Sequence, residues 1–304
     1  MASLQKSNGA PFNRGTGLLI MEVRCSNPNG DPDAESDPRL LDTDGRGLIS
    51  PVSFKRKLRD LVGDHEGPVW LEAKKILKID DQSRFDILEK RVSDDERDSI
   101  WDMDAENFTN KYWDARVFGN MFLEDIKGKG YEPGEKDHFI RTGVVQFGPG
   151  ISIAPIEIER LTMTKKASVE KGKSRAMAPL GWRVVLHALY EMPFFINPMM
   201  AGKSGCNSLD IELMEFLIPH SYRNTASAIR PFVEIRNAWL AEHKSPLGSC
   251  PDSLILDALT PKKIKGDTEK PSTSIDDYEI PTRLPDDVRK RLENFEDLCL
   301  KHWN

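Results

Sequence analysis

The sequence predicts an α+β fold built on an antiparallel sheet. Three observations carry that prediction. The elements run strand, helix, helical insertion, strands and helix, without the regular strand–helix alternation of a parallel sheet. A hydrophobic content of 38%, plus 21 glycines, is enough to bury a core in 304 residues. No internal repeat is present, so the chain is not a stacked array.

The elements follow in order. Gly17 to Cys25 (GLLIMEVRC) reads as a buried first strand. Ser26 to Gly47 is dense in Asn, Asp, Pro and Gly and reads as a loop. A helix starts at Ser50, the N-cap, with Pro51 at its first position. Its apolar face carries Phe54, Leu58, Leu61 and Val62, and Lys55, Arg56 and Arg59 are expected on the opposite face.

From Asp80 to Glu106 the chain holds 11 acidic residues against 4 basic ones, with helical apolar spacing at Phe85, Ile87, Leu88 and Val92. This predicts a solvated helical insertion. A second helix (Asn107 to Tyr112) leads into Trp113-Asp114-Ala115-Arg116-Val117-Phe118-Gly119, and Gly128 to Asp137 reads as a loop. A strand is expected around Val144 to Phe147. Ile151, Ile153, Ile156, Ile158 and Leu161 suggest one long strand, with a bulge or break at Pro155 where the spacing slips. Lys165 to Ala178 is a basic connector, Trp182 to Tyr190 another strand, and helices are expected at Leu209 to Leu217 and Thr225 to Leu240. The sheet this yields is small, with large excursions.

Several function classes are excluded. The Gly-Lys-Ser triplets at 172–174 and 202–204 lack the earlier glycine of a phosphate-binding loop, because Ala167 and Asn197 stand there. There is no HExxH helix, GxSxG elbow or CxxC pair, and Cys25, Cys206, Cys250 and Cys299 lie far apart. Asp31, Asp33, Glu35 and Asp37 have the spacing of a calcium loop, but Ser36 and Asp42 occupy its required Gly and Glu positions. They read first as turn-forming acids. The alternative is a magnesium site for phosphodiester cleavage. No cofactor or metal is expected. The uncharged stretch from Met192 to Gly202 falls short of a membrane span, and the polar start lacks a secretory signal, so a soluble cytoplasmic protein without a membrane partner is expected.

A formal charge of −6 argues at first against an anionic partner, but the charge is unevenly spread. Arg160 to Arg183 holds seven Lys/Arg (Arg160, Lys165, Lys166, Lys171, Lys173, Arg175 and Arg183) against Glu170 alone. The helix at Ser50 adds Lys55, Arg56, Lys57 and Arg59 before Asp60. Two such patches suit a phosphate backbone held without reading its sequence. Met163 and Met177 flank the connector, either as wedges between bases or as ordinary core residues.

Asn27-Pro28-Asn29-Gly30-Asp31-Pro32-Asp33, then Pro38-Arg39 and Gly47-Leu48-Ile49-Ser50, then Phe54-Lys55-Arg56-Lys57-Leu58-Arg59, form a recognisable constellation. It closely resembles the major backbone subunit of type I CRISPR interference complexes (Cascade), the Cas-seven family, and among its branches the C and B subtypes. The resemblance continues at residues 113–119 and at Ile158 to Lys166, and covers most of residues 17–190. Gly148-Pro149-Gly150 and Ser152 to Pro155 depart from what relatives carry before the thumb strand.

The resemblance implies a single RNA-recognition-motif-like, ferredoxin-like palm over residues 1–304. A helical finger insertion would span about 63–140 and a thumb β-hairpin about 150–182. It implies a non-catalytic subunit that polymerises along a CRISPR guide RNA (crRNA) and presents it to target DNA. Other copies of the chain and other Cascade subunits would be its partners. By the same resemblance, Lys55, Arg56 and Arg59 would hold guide phosphates, and Ser53 and Arg39 would also bind the RNA. Asn27 and Asn29 would shape the loop along the RNA and offer amide donors. Lys165, Lys166, Lys171, Lys173 and Arg175 would line the thumb, and Met163 would meet a displaced base. Arg116 would either pair with Asp114 or touch RNA. A type III backbone subunit would instead cleave RNA with Asp31, Asp33 or Asp37.

Overall fold

The computed structural model describes residues 12–89, 105–122, 139–166 and 177–302. Val92, the loop from 128 to 137, and Lys171, Lys173 and Arg175 lie outside them.

Strand β1 (Gly15–Ser26) is followed by the loop, β2 (Arg46–Ile49), helix α1 (Pro51–Gly63) and helix α2 (Pro68–Leu77). Helices α3 (Ala105–Lys111) and α4 (Trp113–Phe118) precede strands β3 (Gly119–Phe122) and β4 (Phe139–Thr142). Next come β5 (Val145–Phe147), β6 (Gly150–Pro155), β7 (Ile158–Lys166) and β8 (Met177–Ile196). The short α5 (Ala201–Ser204), α6 (Ser208–His220) and β9 (Val233–His243) complete the central part. The C-terminal part holds α7 (Asp252–Leu259), β10 (Lys262–Lys263), β11 (Tyr278–Glu279), α8 (Asp286–Arg289), β12 (Leu292–Asp297) and α9 (Leu298–His302).

The main sheet has eight strands in the order β12-β9-β1-β8-β6-β2, with β5 and β7 also on β8. It is larger than the small sheet expected, because the tail contributes β12 and the hairpin region lengthens β8. Its centre, β9-β1-β8-β6, is antiparallel throughout. In chain order β1, α1, β6, β8, α6 and β9 form a β-α-β-β-α-β unit, the ferredoxin-like arrangement.

Both faces of the sheet are covered, which is why β1 reads as an unbroken apolar run rather than an alternation. Leu19, Met21 and Val23 pack with Phe54, Leu58 and Val62 of α1, Trp70 of α2 and Leu213, Met214 and Leu217 of α6. Leu18 and Ile20 face the other way, against Trp239, Ile255, Leu259, Tyr278, Val288 and Leu292. The stretch from α7 to α8 therefore covers the second face of the sheet.

Four expectations are corrected. Thr225 to Leu240 is not a helix: Val233 and Ile235 are buried and Glu234 and Arg236 exposed, the alternation of a strand, and Pro231 interrupts any helical ladder. A bulge at Arg236 then shifts the register, with Ile20 opposite Asn237 and Met21 opposite Ile235. Residues 82–88 are not a solvated helix, because Phe85 at the end of a single 3-10 turn and Ile87 and Leu88 after it are buried. Helix α2 was not foreseen, and its Trp70 and Ala73 join the main core. Lys165 and Lys166 are not in a connector but in β7, opposite Ala178 and Met177.

The slip expected near Pro155 is present. Val145 faces Ile196, Ile151 faces Glu191 and Ile158 faces Val185, so the outgoing strand gains one residue on β8 at each of two breaks. Gly148–Pro149 marks the first break and the stretch after Pro155 the second. One-residue insertions of this kind bend and twist a long hairpin. Among the described residues, no helix is long and apolar enough to cross a membrane.

Candidate nucleic-acid interface

The N-terminus of α1 is built by the loop before it. Ser50 Oγ accepts from the Ser53 backbone N at 3.2 Å, and Asn29 Oδ1 accepts from the Ser50 backbone N at 2.7 Å. Asn29 Nδ2 donates to the Gly30 carbonyl at 3.2 Å. Asn27 is buried and donates from Nδ2 to the Ser36 carbonyl at 2.8 Å, while its own carbonyl accepts from Arg230 Nε at 2.9 Å. Both asparagine amides thus hold the loop in shape. Arg39 lies 3.5 Å from Asp31, and its backbone N donates to the Asn29 carbonyl at 3.0 Å.

The basic residues of α1 divide into two kinds. Lys55 sits over the Phe118 ring at 5.4 Å, and burial, then Arg59, hold its ammonium pKa below the usual lysine value. Burial lowers Lys57 in the same way, with Arg230 adding repulsion. Arg56 is exposed, 2.6 Å from Asp60, and donates to the Glu89 carbonyl at 3.1 Å. Ser53 is half-buried beside them.

Arg59 is the other kind, and its expected place on an exposed face is corrected. Its side chain is 5% exposed, with Nε 2.9 Å from Asp114 and Nη1 2.9 Å from Glu89. One turn farther round a helix carrying Leu58, Leu61 and Val62, this position faces α4 rather than solvent.

Arg116 is buried, but its carboxylate partner is Asp210 of α6, at 2.7 and 3.1 Å, not Asp114. It also donates to the carbonyls of Thr109, Asn110 and Arg84. The two buried arginines therefore take different aspartates, one on α4 and one on α6.

Met163, Lys165 and Lys166 fall in β7, with Met163 opposite Leu180. Two groups lie outside the residues expected singly to touch RNA, although Arg160 and Arg183 stand in the basic run read from the sequence. Arg160 and Arg183 of the hairpin contact Asp37 at 3.3 and 3.0 Å, and Arg183 also engages Glu35. Arg24 stacks over the Phe232 ring at 4.7 Å and pairs with the buried Glu22 at 2.6 Å, while Arg230 donates to the Asn27 backbone carbonyl. The pairing of β1 with β9 assembles this second group, and the mistaken helix at 225–240 concealed it. Asp31 accepts from the Asp33 backbone N at 3.2 Å. Among the described residues, no three His, Cys, Asp or Glu side chains converge as a metal site.

Fold and site define a ferredoxin-like protein in which a basic helix and an arginine-bearing hairpin flank one Asn-, Asp- and Pro-rich loop. Its family is equally definite. The model of the family "CRISPR-associated protein Cas7" matches residues 13–283, and the chain belongs to that family. This bears out the resemblance carried by the NPNGDPD loop and the helix after it. The CRISPR-associated protein Cas7 of Haloferax volcanii is 22% identical over 232 residues, covering 71% of this chain and 66% of that protein. The match thus spans just under two thirds of the curated relative's length.

Three solved structures are similar in part. A chain of a "CRISPR RNA-guided surveillance complex, pre-nicking" is 15% identical, with 75% of this chain and 78% of that chain covered and a TM-score of 0.45. A chain of a "CRISPR RNA-guided surveillance complex" is 13% identical, with 75% and 69% covered and a TM-score of 0.41. A chain of the Type III-B Cmr-beta complex bound to cognate target RNA is 11% identical, with 76% and 61% covered and a TM-score of 0.39.

Proposed function

We propose that this chain is a guide-RNA-binding backbone subunit of a type I CRISPR interference complex, with no catalytic step of its own. The observation that carries it is membership of the Cas7 family across residues 13–283. Copies of the chain line the guide and leave its bases free to pair with target DNA. Sequence is then read by base pairing, while the protein holds backbone.

The distribution of charge supports this reading. Among the described residues, Lys55, Arg56 and Lys57 place cations on the helix that follows the Asn27–Asp37 loop and have no buried carboxylate partner, unlike Arg59. Lys165 and Lys166 belong to β7 of the hairpin that we assign as the thumb, and the sequence adds Lys171, Lys173 and Arg175 to the same basic run. Residues near 63–140 carry the finger, although α2 within that range also belongs to the palm core. A non-catalytic role is supported by the state of the loop acids: Asp31 lies beside Arg39, and Asp37 is held by Arg160 and Arg183.

The test is direct. Lys55→Ala and Arg56→Ala should weaken binding of single-stranded RNA regardless of sequence. Each should also shallow the salt dependence by about 0.7 per lost phosphate contact. Unchanged affinity and slope in both variants would remove α1 from the interface. Cleavage of complementary RNA by the assembled complex with magnesium, lost in Asp33→Ala, would replace the non-catalytic reading with the nuclease one.

A further inference from the structure

The ladder between β7 and β8 sets Arg160 directly opposite Arg183. Like charges facing each other across an antiparallel pair repel, so such a pair calls for an anion between them. Here the anion is Asp37, with Oδ2 3.3 Å from Arg160 Nη2 and Oδ1 3.0 Å from Arg183 Nε. Glu35 places a second carboxylate on Arg183 Nη2, and its carbonyl accepts from Arg183 Nη1 at 2.7 Å. The acids of the loop thus fill an anion cradle on the hairpin.

The outer part of the filling is weakly held: the Arg160 side chain is 71% exposed and that of Glu35 82%, whereas Arg183 and Asp37, at 22% and 24%, form its inner pair. Exposed ion pairs contribute at most about 1 kcal/mol each. The segment that supplies the acids is itself unfavourable: Glu35 and Ser36 have φ of 49° and 66°, in the left-handed region. An anion that brings further contacts of its own can therefore take the place of the loop carboxylates.

We propose that Arg160 and Arg183 form a phosphodiester-binding site at the root of the hairpin, occupied by Asp37 and Glu35 in the free chain and vacated to single-stranded RNA. The proposal rests on the RNA-binding reading above and adds two ligating residues and their internal competitor. Two planar guanidinium forks suit the paired oxygens of a phosphate as well as those of a carboxylate. Because the competitor is tethered, it faces the site at high effective concentration and excludes a lone phosphate. A polymeric anion that also engages α1 gains enough from several contacts to displace it.

The experiment compares the full chain with the double variant Glu35→Gln/Asp37→Asn and a charge-matched control, Asp286→Asn/Asp287→Asn, at exposed positions of α8. The probe is a labelled oligouridylate. Loss of the competitor should tighten binding about three- to tenfold, and the control should change it less than twofold. Arg183→Ala should weaken binding and shallow the salt dependence by about 0.7. Amide exchange across residues 31–37 should speed up when RNA binds the unmodified chain. If the double variant binds no tighter than the control, or the loop becomes more protected on RNA, the cradle is not a phosphate site, while α1 binding stands. Absence of RNA binding by the unmodified chain would overturn both readings together.

Discussion

Arg116 and Asp210 lock α4 to α6: the guanidinium reaches both carboxylate oxygens, at 2.7 and 3.1 Å, and both side chains are 1% exposed. The same carboxylate closes a capping box at the start of α6, accepting from the Asn207 backbone N at 3.0 Å, while Asn207 Oδ1 accepts from the Asp210 backbone N. One aspartate thus orients a helix start and a buried cation at once. With three carbonyls completing its shell, Arg116 has its donors spent inside the protein.

Arg116→Ala should therefore cost about 3–5 kcal/mol, because it leaves Asp210 charged, buried and short of a partner. Arg116→Lys should recover little, since one ammonium cannot replace a five-donor fork. Urea denaturation measures both. RNA binding by the folded fraction should keep its salt slope; a fall of one phosphate contact would assign Arg116 to the interface.

Gly143 and Gly181 should respond in opposite ways to the same substitution. A Cβ at Gly143 would lie 2.2 Å from the backbone of Phe118 and Gly119, between α4 and the sheet, where nothing can move aside. A Cβ at Gly181, on the hairpin, meets nothing within 4 Å. Gly143→Ala is expected to lose about 3 kcal/mol or more, and Gly181→Ala to stay within about 0.5 kcal/mol or gain slightly. Thermal melts of the two variants give the comparison.

Glu215 makes stability depend on pH. Its side chain is 14% exposed, beside a cavity of about 70 Å³ lined by Phe12, Ile196, Ile211 and Leu240, and burial pushes its pKa up from 4.5 to about 7. Lys301, at 3.6 Å, offsets part of that effect. The folded state then holds a proton that the unfolded state releases. Stability is fully present below about pH 4.5 and declines as pH rises through about 7. Glu215→Gln removes the titration. It should match the parent at pH 4.5 and exceed it by on the order of 2–3 kcal/mol at pH 8, read by chemical denaturation. Equal stabilities at both pH values would show that Lys301 keeps the carboxylate ionised throughout.

The parts of the fold that local chemistry dictates were legible in the sequence. Ser50 caps α1 and Pro51 starts it, the first strand is buried, and the spacing slip near Pro155 is a bulge. What was not legible depends on pairing across long sequence separations. Val233 to His243 becomes a strand because β1 and β12 flank it, and its run of Ala238, Trp239, Leu240 and Ala241 is buried on two faces. The site divides in the same way. That the Ser50 helix carries cations follows from sequence. Which of them is neutralised depends on Asp114, 55 residues downstream, folding back against Arg59.

That division gives the sharpest separation between structure and binding, at two arginines three positions apart on α1. Asp114 accepts from Arg59 Nε at 2.9 Å and from the backbone N of Leu88 and Glu89 at 2.8 and 3.2 Å, so Arg59 completes a buried and satisfied cluster. Among the described residues, Arg56 shares only an exposed pair with Asp60 and one carbonyl contact. Arg59→Ala should thus destabilise by about 3–5 kcal/mol, through an uncompensated buried carboxylate. Arg56→Ala should cost no more than about 1 kcal/mol, yet weaken RNA binding and shallow its salt slope. Denaturation and RNA titration on the same preparations separate the two effects. If Arg59→Ala left stability intact and removed a phosphate contact, the ion pair with Asp114 would not hold in solution, and Arg59 would join the interface.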